Sequence, residues 1–283
     1  MTEFILGHQL IIRLSFFVAI LVLMATWEIL KPRRVLNISK PYRWTSNLGI
    51  VFLNSFILRV IFPAGAVGVA LFATDQAWGL FHYFKTPYGL ALVLSIVALD
   101  FVIYLQHVMF HAVPIFWRLH RMHHADLDFD VTTGARFHPV EIILSMLIKF
   151  CVIVVLGAPV LAVIIFEVLL NMTSMFNHSN AFIPLAWDRF IRYIVVTPDM
   201  HRVHHSILAH ETNSNFGFNL SLWDRLFGTY KNQPDEGHER MTIGIRDFRD
   251  PKQASRLDGM LMIPFVGKVT HYAINRRSEN PRA

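Results

Sequence analysis

The stretch from Val140 to Asn177 limits the folds open to this chain more than any other. It is predominantly apolar, too long for one membrane crossing, and broken by Gly157–Ala158–Pro159. A hydrocarbon core of ~30 Å takes about 20 helical residues, and a Gly/Pro interruption ends a helix. The stretch therefore reads as two short helices folded back as a hairpin. Two internal charges sharpen this reading. Lys149 lies nine residues before Ala158 and Glu167 nine after it, so a hairpin turning there brings them to one depth and predicts that they pair. An unpaired charge there costs roughly 2.5–3.5 kcal/mol on insertion scales; the alternative is a snorkelling Lys149 beside a protonated Glu167.

Three further apolar segments precede the hairpin: about Ile11 to Leu30, about Leu48 to Ala73 with Arg59 and a kink expected at Pro63, and about Tyr88 to His111. The 283 residues are 54% hydrophobic and 16% charged, with mean hydropathy +0.42, which places the chain in the membrane class. The expected architecture is all-α, with four to five membrane helices and a cytosolic helical cap. The first apolar run is long enough to span and no basic n-region precedes it, so no cleavable signal peptide is expected. Lys31, Arg33, Arg34, Lys40 and Arg43 follow the first span, whereas the loop from Thr74 to Pro87 holds only Lys85. The positive-inside bias then puts the first loop in the cytoplasm. Every later histidine cluster falls on that same face, and a bacterial inner membrane is the expected location. The formal charge of +6 is scattered among apolar spans and suits a lipid-facing surface, not nucleic acid. One cysteine, Cys151, excludes a disulfide framework and a cysteine-based zinc site.

Any metal must therefore be held by His, Asp and Glu. "HRMHH" (His120–His124) and "HRVHH" (His201–His205) share the pattern HxxHH, which chance supplies roughly 0.04 times in a chain with this many histidines. On a helix, residues three and four apart share a face, so His120, His123 and His124 can converge on a metal, as can His201, His204 and His205. His107 and His111 form an i,i+4 pair ending the third span, and Asp100 and Tyr104 continue that stripe into the membrane. A carboxylate or phenol there is expected to hydrogen-bond a ligating imidazole. Eight histidines exceed the four ligands of one tetrahedral zinc and suit two metals. Imidazole accepts iron, copper, nickel or zinc, so the spacing leaves the metal open.

The order HxxxH (His107, His111), HxxHH and HxxHH resembles the fatty acid hydroxylase/sterol desaturase superfamily of integral-membrane di-iron oxygenases. "DFVIYLQHVMFH" from Asp100, "RFHPVE" around His138, "FNHSN" at Phe176–Asn180 and "NFGFNLSLWDRLFGTY" from Asn215 to Tyr230 strengthen the likeness, which covers about Asp100 to Tyr230. Val108 stands where many members carry Arg, a departure that removes no ligand. The resemblance implies two irons over a lipid-filled cavity, dioxygen as co-substrate, and hydroxylation or desaturation of a lipid. It implies the eight box histidines as core ligands with His178 as a further one. It leaves His138 as a ligand or an outer partner, with Glu141 either orienting it or capping a helix. No GxGxxG, CxxC cluster or cytochrome b5 "HPGG" is found, so electrons are expected from a separate ferredoxin or cytochrome b5-like donor and its reductase.

The expected division is membrane helices over 1–99, a catalytic region over 100–230 and a polar cytosolic tail over 231–283. Within the tail, Asn232–Arg256 reads as solvated surface. His8, His82, His210, His238 and His271 read as surface histidines. In "WDRLFGTY", Trp223 and Phe227 are expected to dock the tail, with Asp224 and Arg225 pairing locally. A metal transporter would spread its histidines across the bilayer, and a purely structural metal protein would hold redox-inert ions. Chain length, head group, position of attack and oligomeric state leave no readable motif.

Overall fold

The structure, a computed structural model, describes residues 2–269 and 274. The described residues are helical, with isolated β-bridges and no strand. Its elements are α1 (Thr2–Leu30), α2 (Lys40–Ile61), α3 (Gly65–Asp75), α4 (Leu80–Tyr83), α5 (Tyr88–Ala112), α6 (Pro114–His124), α7 (Pro139–Leu156), α8 (Val160–Asn177), α9 (Leu185–Ile191) and α10 (Pro198–His204), followed by short turns. Five segments are long and apolar enough to cross a membrane: Gly7–Leu30, Lys40–Tyr83, Tyr88–Ala112, Pro139–Leu156 and Val160–Asn177. The chain is a multi-pass membrane protein.

The hairpin forms where the sequence places it. Gly157 ends α7 in the left-handed conformation (φ 66°), which a residue without Cβ adopts freely, and Pro159 precedes α8. Lys149 Nζ lies 3.2 Å from Glu167 Oε1, the pairing predicted from equal spacing about Ala158. The hairpin packs on α3 and α5 through Ala66, Val67, Ala70, Leu99, Ile153, Val163 and Phe166, where the small alanines of α3 allow close approach. The second span is less continuous than expected: α2 stops at Ile61 and α3 restarts at Gly65 (φ 58°). Pro63 cannot donate to the helix ladder, and the Arg59 guanidinium donates to the Pro63 carbonyl at 3.0 Å. The chain then returns to the hairpin tip, where a Cβ on Gly79 would lie 2.1 Å from Gly157 N.

The cap is tied to the membrane helices by buried charge. Arg43, near the start of α2, donates to Asp126 at 2.8 and 2.7 Å and also pairs with Asp130; Arg136 reaches Asp126 at 3.3 Å. All four are fully buried, and the two guanidiniums hold the Asp126 carboxyl well below the usual range against the opposing effect of burial. The segment Asn232–Arg256 is only in part the solvated surface its polarity suggests. Met241, Ile243, Ile245, Phe248 and Ala254 are buried, and Ile245 and Phe248 pack with Met260 and Ile263 against Trp117, Met122 and Ile50. Arg121 fastens this layer by donating to the Ile263 carbonyl at 2.7 Å and the Lys268 carbonyl at 3.0 Å. The basic end of the chain lies outside the described residues.

Replacing Gly157 with Ala forces a Cβ into the Trp78 carbonyl, 2.4 Å away. It should cost about 1–3 kcal/mol, read as a lowered Tm in detergent. Gly89→Ala, which meets nothing within 4 Å, should leave Tm unchanged or slightly raised.

Candidate metal centre

Nine of the ten histidines singled out from the sequence as metal ligands come together. α5 supplies His107 and His111 from its last turns, and α6 supplies His120, His123 and His124. His178 caps the end of α8, while α10 supplies His201 and His204 with His205 just beyond. α6 and α10 each begin with a proline in the first turn, a position whose missing N–H costs nothing. Thr197 caps α10 by accepting from Met200 N at 3.3 Å.

The imidazoles fall into two groups, His107, His111, His120, His124 and His204, and His123, His178, His201 and His205. Within each group the ligand atoms lie within 4.8 Å of one another. Facing Nε2 atoms are 3.1 Å apart for His107–His120 and His201–His178, and 3.2 Å for His111–His124 and His178–His123. The outer nitrogens are fixed from behind. His107 Nδ1 faces the Phe216 carbonyl at 2.8 Å, His178 Nδ1 the Ser174 carbonyl at 2.8 Å and His204 Nδ1 the Ser214 carbonyl at 2.7 Å. His120 Nδ1 faces Glu141 Oε1 at 2.7 Å, and His111 Nδ1 faces Asn213 Oδ1 at 3.2 Å. Each such acceptor takes the Nδ1 proton and leaves the Nε2 lone pair directed inward.

All nine rings are buried. Burial holds His120 and His178 down to about 3. Burial and the neighbouring imidazoles hold His123, His124, His201, His204 and His205 well below the usual value. The rings are therefore neutral, the form that ligates metal. His204 Nε2 and both nitrogens of His205 have no hydrogen-bond partner among the described residues, which is costly for buried polar atoms unless something else occupies their lone pairs. Neutral, inward-facing and unpartnered nitrogens in two compact groups fit metal ions.

The remaining candidates lie elsewhere. His138 belongs to neither group; its Nδ1 accepts from Val140 N at 3.2 Å and caps α7. Glu141 orients His120, not His138. Asp100 accepts from Trp223 Nε1 at 2.8 Å and Leu220 N at 3.3 Å, and Tyr104 Oη meets Thr229 Oγ1 at 3.1 Å. These two grip the segment 216–230 instead of touching an imidazole. Phe227 stacks on Phe101 and Tyr104. Asp224 pairs not with Arg225 but with Phe216 N, Gly217 N and Thr229 Oγ1, at 2.7, 2.8 and 2.7 Å, fixing the backbone whose carbonyl receives His107. Arg225 instead lies over Tyr193 and Tyr230. His238, expected at the surface, is buried 3.6 Å from Asp199; His210 is exposed, and His271 lies outside the described residues.

A cavity of about 1130 Å³ reaches from His107, His120 and His123 to Arg13 and to the Pro63 break. Its walls come from α1, α2, α3, α5, α7 and α8, and exposed Leu10, Leu14, Pro63 and Ala64 stand at its rim.

Residues 92–229 match the fatty acid hydroxylase family. That segment, just under half of the chain, is where its similarity to the fatty acid hydroxylase family lies. It is 30% identical over 148 residues to an ornithine lipid hydroxylase of Rhizobium tropici, covering 52% of this chain and 44% of that protein. It is 27% identical over 205 residues to an alkylglycerol monooxygenase of Xenopus tropicalis, covering 71% and 45%. A very-long-chain aldehyde decarbonylase of Oryza sativa is 22% identical over 170 residues, covering 57% and 26%. The chain thus spans less than half the length of these relatives. No solved structure matches it.

Glu141→Ala strips His120 of its orienting carboxylate and should weaken metal binding about 10- to 100-fold, measured by titration against a competing chelator. His138→Asn keeps a helix-capping oxygen and should leave metal affinity unchanged.

Proposed function

We propose that the chain is a membrane-bound non-haem di-iron monooxygenase that hydroxylates a C–H bond of a lipid. The observation that carries this reading is the opening of a long, membrane-level cavity onto two groups of neutral imidazoles. The names of two of its relatives, an ornithine lipid hydroxylase and an alkylglycerol monooxygenase, support it.

In this reading His107, His111, His120, His124 and His204 hold one iron, and His123, His178, His201 and His205 the other. The bound irons supply the electron-transfer capacity needed to cleave dioxygen. The reaction consumes one dioxygen, two electrons and two protons, and yields the hydroxylated lipid and water. The chain supplies the rest: Glu141 and the carbonyls of Phe216, Ser174 and Ser214 hold each ring in register, and the buried setting excludes bulk water. Electrons come from a separate ferredoxin or cytochrome b5-like protein with its reductase. The catalytic region spans 100–230, with membrane helices over 1–99 and a tail over 231–283 whose described residues pack on the cap. The positive-inside bias of the first loop supports a site at the cytoplasmic face, and in this reading the membrane is a bacterial inner membrane. A fatty acyl or other lipid chain is the substrate class.

Comparative lipidomics of cells with wild-type protein, with His204→Ala and without the protein, grown under ¹⁸O₂, tests this. Wild type alone should yield a labelled lipid heavier by one oxygen atom. Loss of two hydrogens instead identifies a desaturase of the same superfamily. Identical lipid profiles, together with two redox-inert zinc ions per chain, would refute the oxygenase reading.

A further inference from the structure

The cavity has one polar wall that the two metal groups leave unexplained. Glu141, Ser145 and Lys149 stand four residues apart on α7, and Glu167, Asn171 and Ser174 follow the matching face of α8; all six line the cavity. Residues at these spacings share a helix face, so a polar track descends from the metal groups toward the middle of the hairpin. Its lower end is a three-charge cluster. Glu167 Oε1 lies 3.2 Å from Lys149 Nζ, and Glu167 Oε2 lies 3.1 Å from an Arg13 guanidinium nitrogen. The Lys149 and Glu167 side chains are 9% and 3% exposed, whereas Arg13 is 38% exposed and borders the same cavity. The pairing of Lys149 with Glu167 balances by itself, so Arg13 leaves one positive charge in excess at membrane depth.

Among the described residues lining the cavity, no further carboxylate reaches that cluster. The cavity's other ionisable linings besides imidazoles are Arg59, a further cation bound to the Pro63 carbonyl, and Glu141, which is taken by His120. Charges inside a membrane are costly and mark ligand or ion sites unless matched. Arg13 and Lys149 each carry more N–H groups than their contact with Glu167 engages, and a guanidinium suits an oxyanion well.

We propose that the cavity seats a lipid carrying an anionic oxygen group, a carboxylate or phosphate, on Arg13 and Lys149. The adjoining part of the lipid lies along Ser145 toward His120. The anion neutralises the excess charge, and the remaining chain lies against the apolar wall. Lys149 is eight residues from Glu141 along α7, about 12 Å at 1.5 Å per residue, so the cluster fixes which carbon reaches the metal groups. This last consequence rests on the oxygenase reading; the binding does not.

The test uses the full chain in phosphatidylcholine nanodiscs and three probes of equal chain length: palmitic acid, palmitoyl lysophosphatidic acid and hexadecanol. Native mass spectrometry should show at least one oxyanion probe binding about tenfold or more tightly than hexadecanol. A preference for palmitic acid alone identifies a carboxylate, and for the lysophospholipid alone a phosphate. Arg13→Leu leaves the Lys149–Glu167 pair intact and should bring the probes to near parity with Tm unchanged; Lys149→Arg should retain the preference. Equal binding of all three probes by the wild type, or an unchanged preference in Arg13→Leu, would overturn the proposal. Oxygenated product without oxyanion preference would remove this site and keep the oxygenase reading. Preference without product in cells would remove that reading and keep the site.

Discussion

Nine imidazoles can share a water-poor space only if none carries a proton in excess, and the surrounding fold meets that condition. Charging any one ring would cost desolvation and place a cation beside several others. The neutral state becomes useful only when each ring is held in the tautomer that turns its Nε2 lone pair inward. Acceptors behind the rings do this at His107, His111, His120, His178 and His204. Those acceptors come from α7, α8 and the 213–216 segment, so the loops that supply them need firm anchoring. The Asp224 cage around Phe216 and Gly217, and the grip of Asp100 on Trp223, provide it.

The same demand explains why buried charge is concentrated between α2 and the loop after α6. Arg43, Asp126, Asp130 and Arg136 are costly to bury and weak evidence for stability as such. What they do is fix the exit of α6, directly after His123 and His124, against a membrane helix. Below the metal groups a second set of buried charges, Lys149, Glu167 and Arg13, faces the cavity. One ion network shapes the cap and the other shapes the ligand space.

Much of this was legible in the letters because local spacing encodes it. Histidines three and four apart must share a helix face, and an apolar stretch interrupted by Gly157 and Pro159 must turn back. The pairing of Lys149 with Glu167 follows from counting outward from Ala158. What stayed hidden has no local signature. Asp126 and Arg43 are distant in sequence, and nothing in either neighbourhood names the other. His138 sits among residues resembling the family's yet serves as a helix cap, because its ring turns back to Val140 N. The stretch Asn232–Arg256 looks polar on average, although Met241, Ile243 and Ile245 alternate inward; averaging concealed a period of two. Asp224 stands beside Arg225 in the chain, yet its hydrogen bonds come from the Phe216 and Gly217 N–H groups and the Thr229 hydroxyl.

Three of the groups that set the imidazoles are carbonyl oxygens, those of Ser174, Ser214 and Phe216. Every amino acid carries that atom, so replacing these side chains does not delete the function their positions perform. Alanine at Ser174 or Ser214 would keep the carbonyl in place, whereas at Phe216 it would also remove a buried ring that packs on His107, His111 and His204. Inserting or deleting one residue between Asn213 and Asp224 would instead displace several acceptors together. The carbonyl part of this centre's outer shell thus depends on chain length more than on side-chain identity, unlike the part supplied by Glu141 and Asn213.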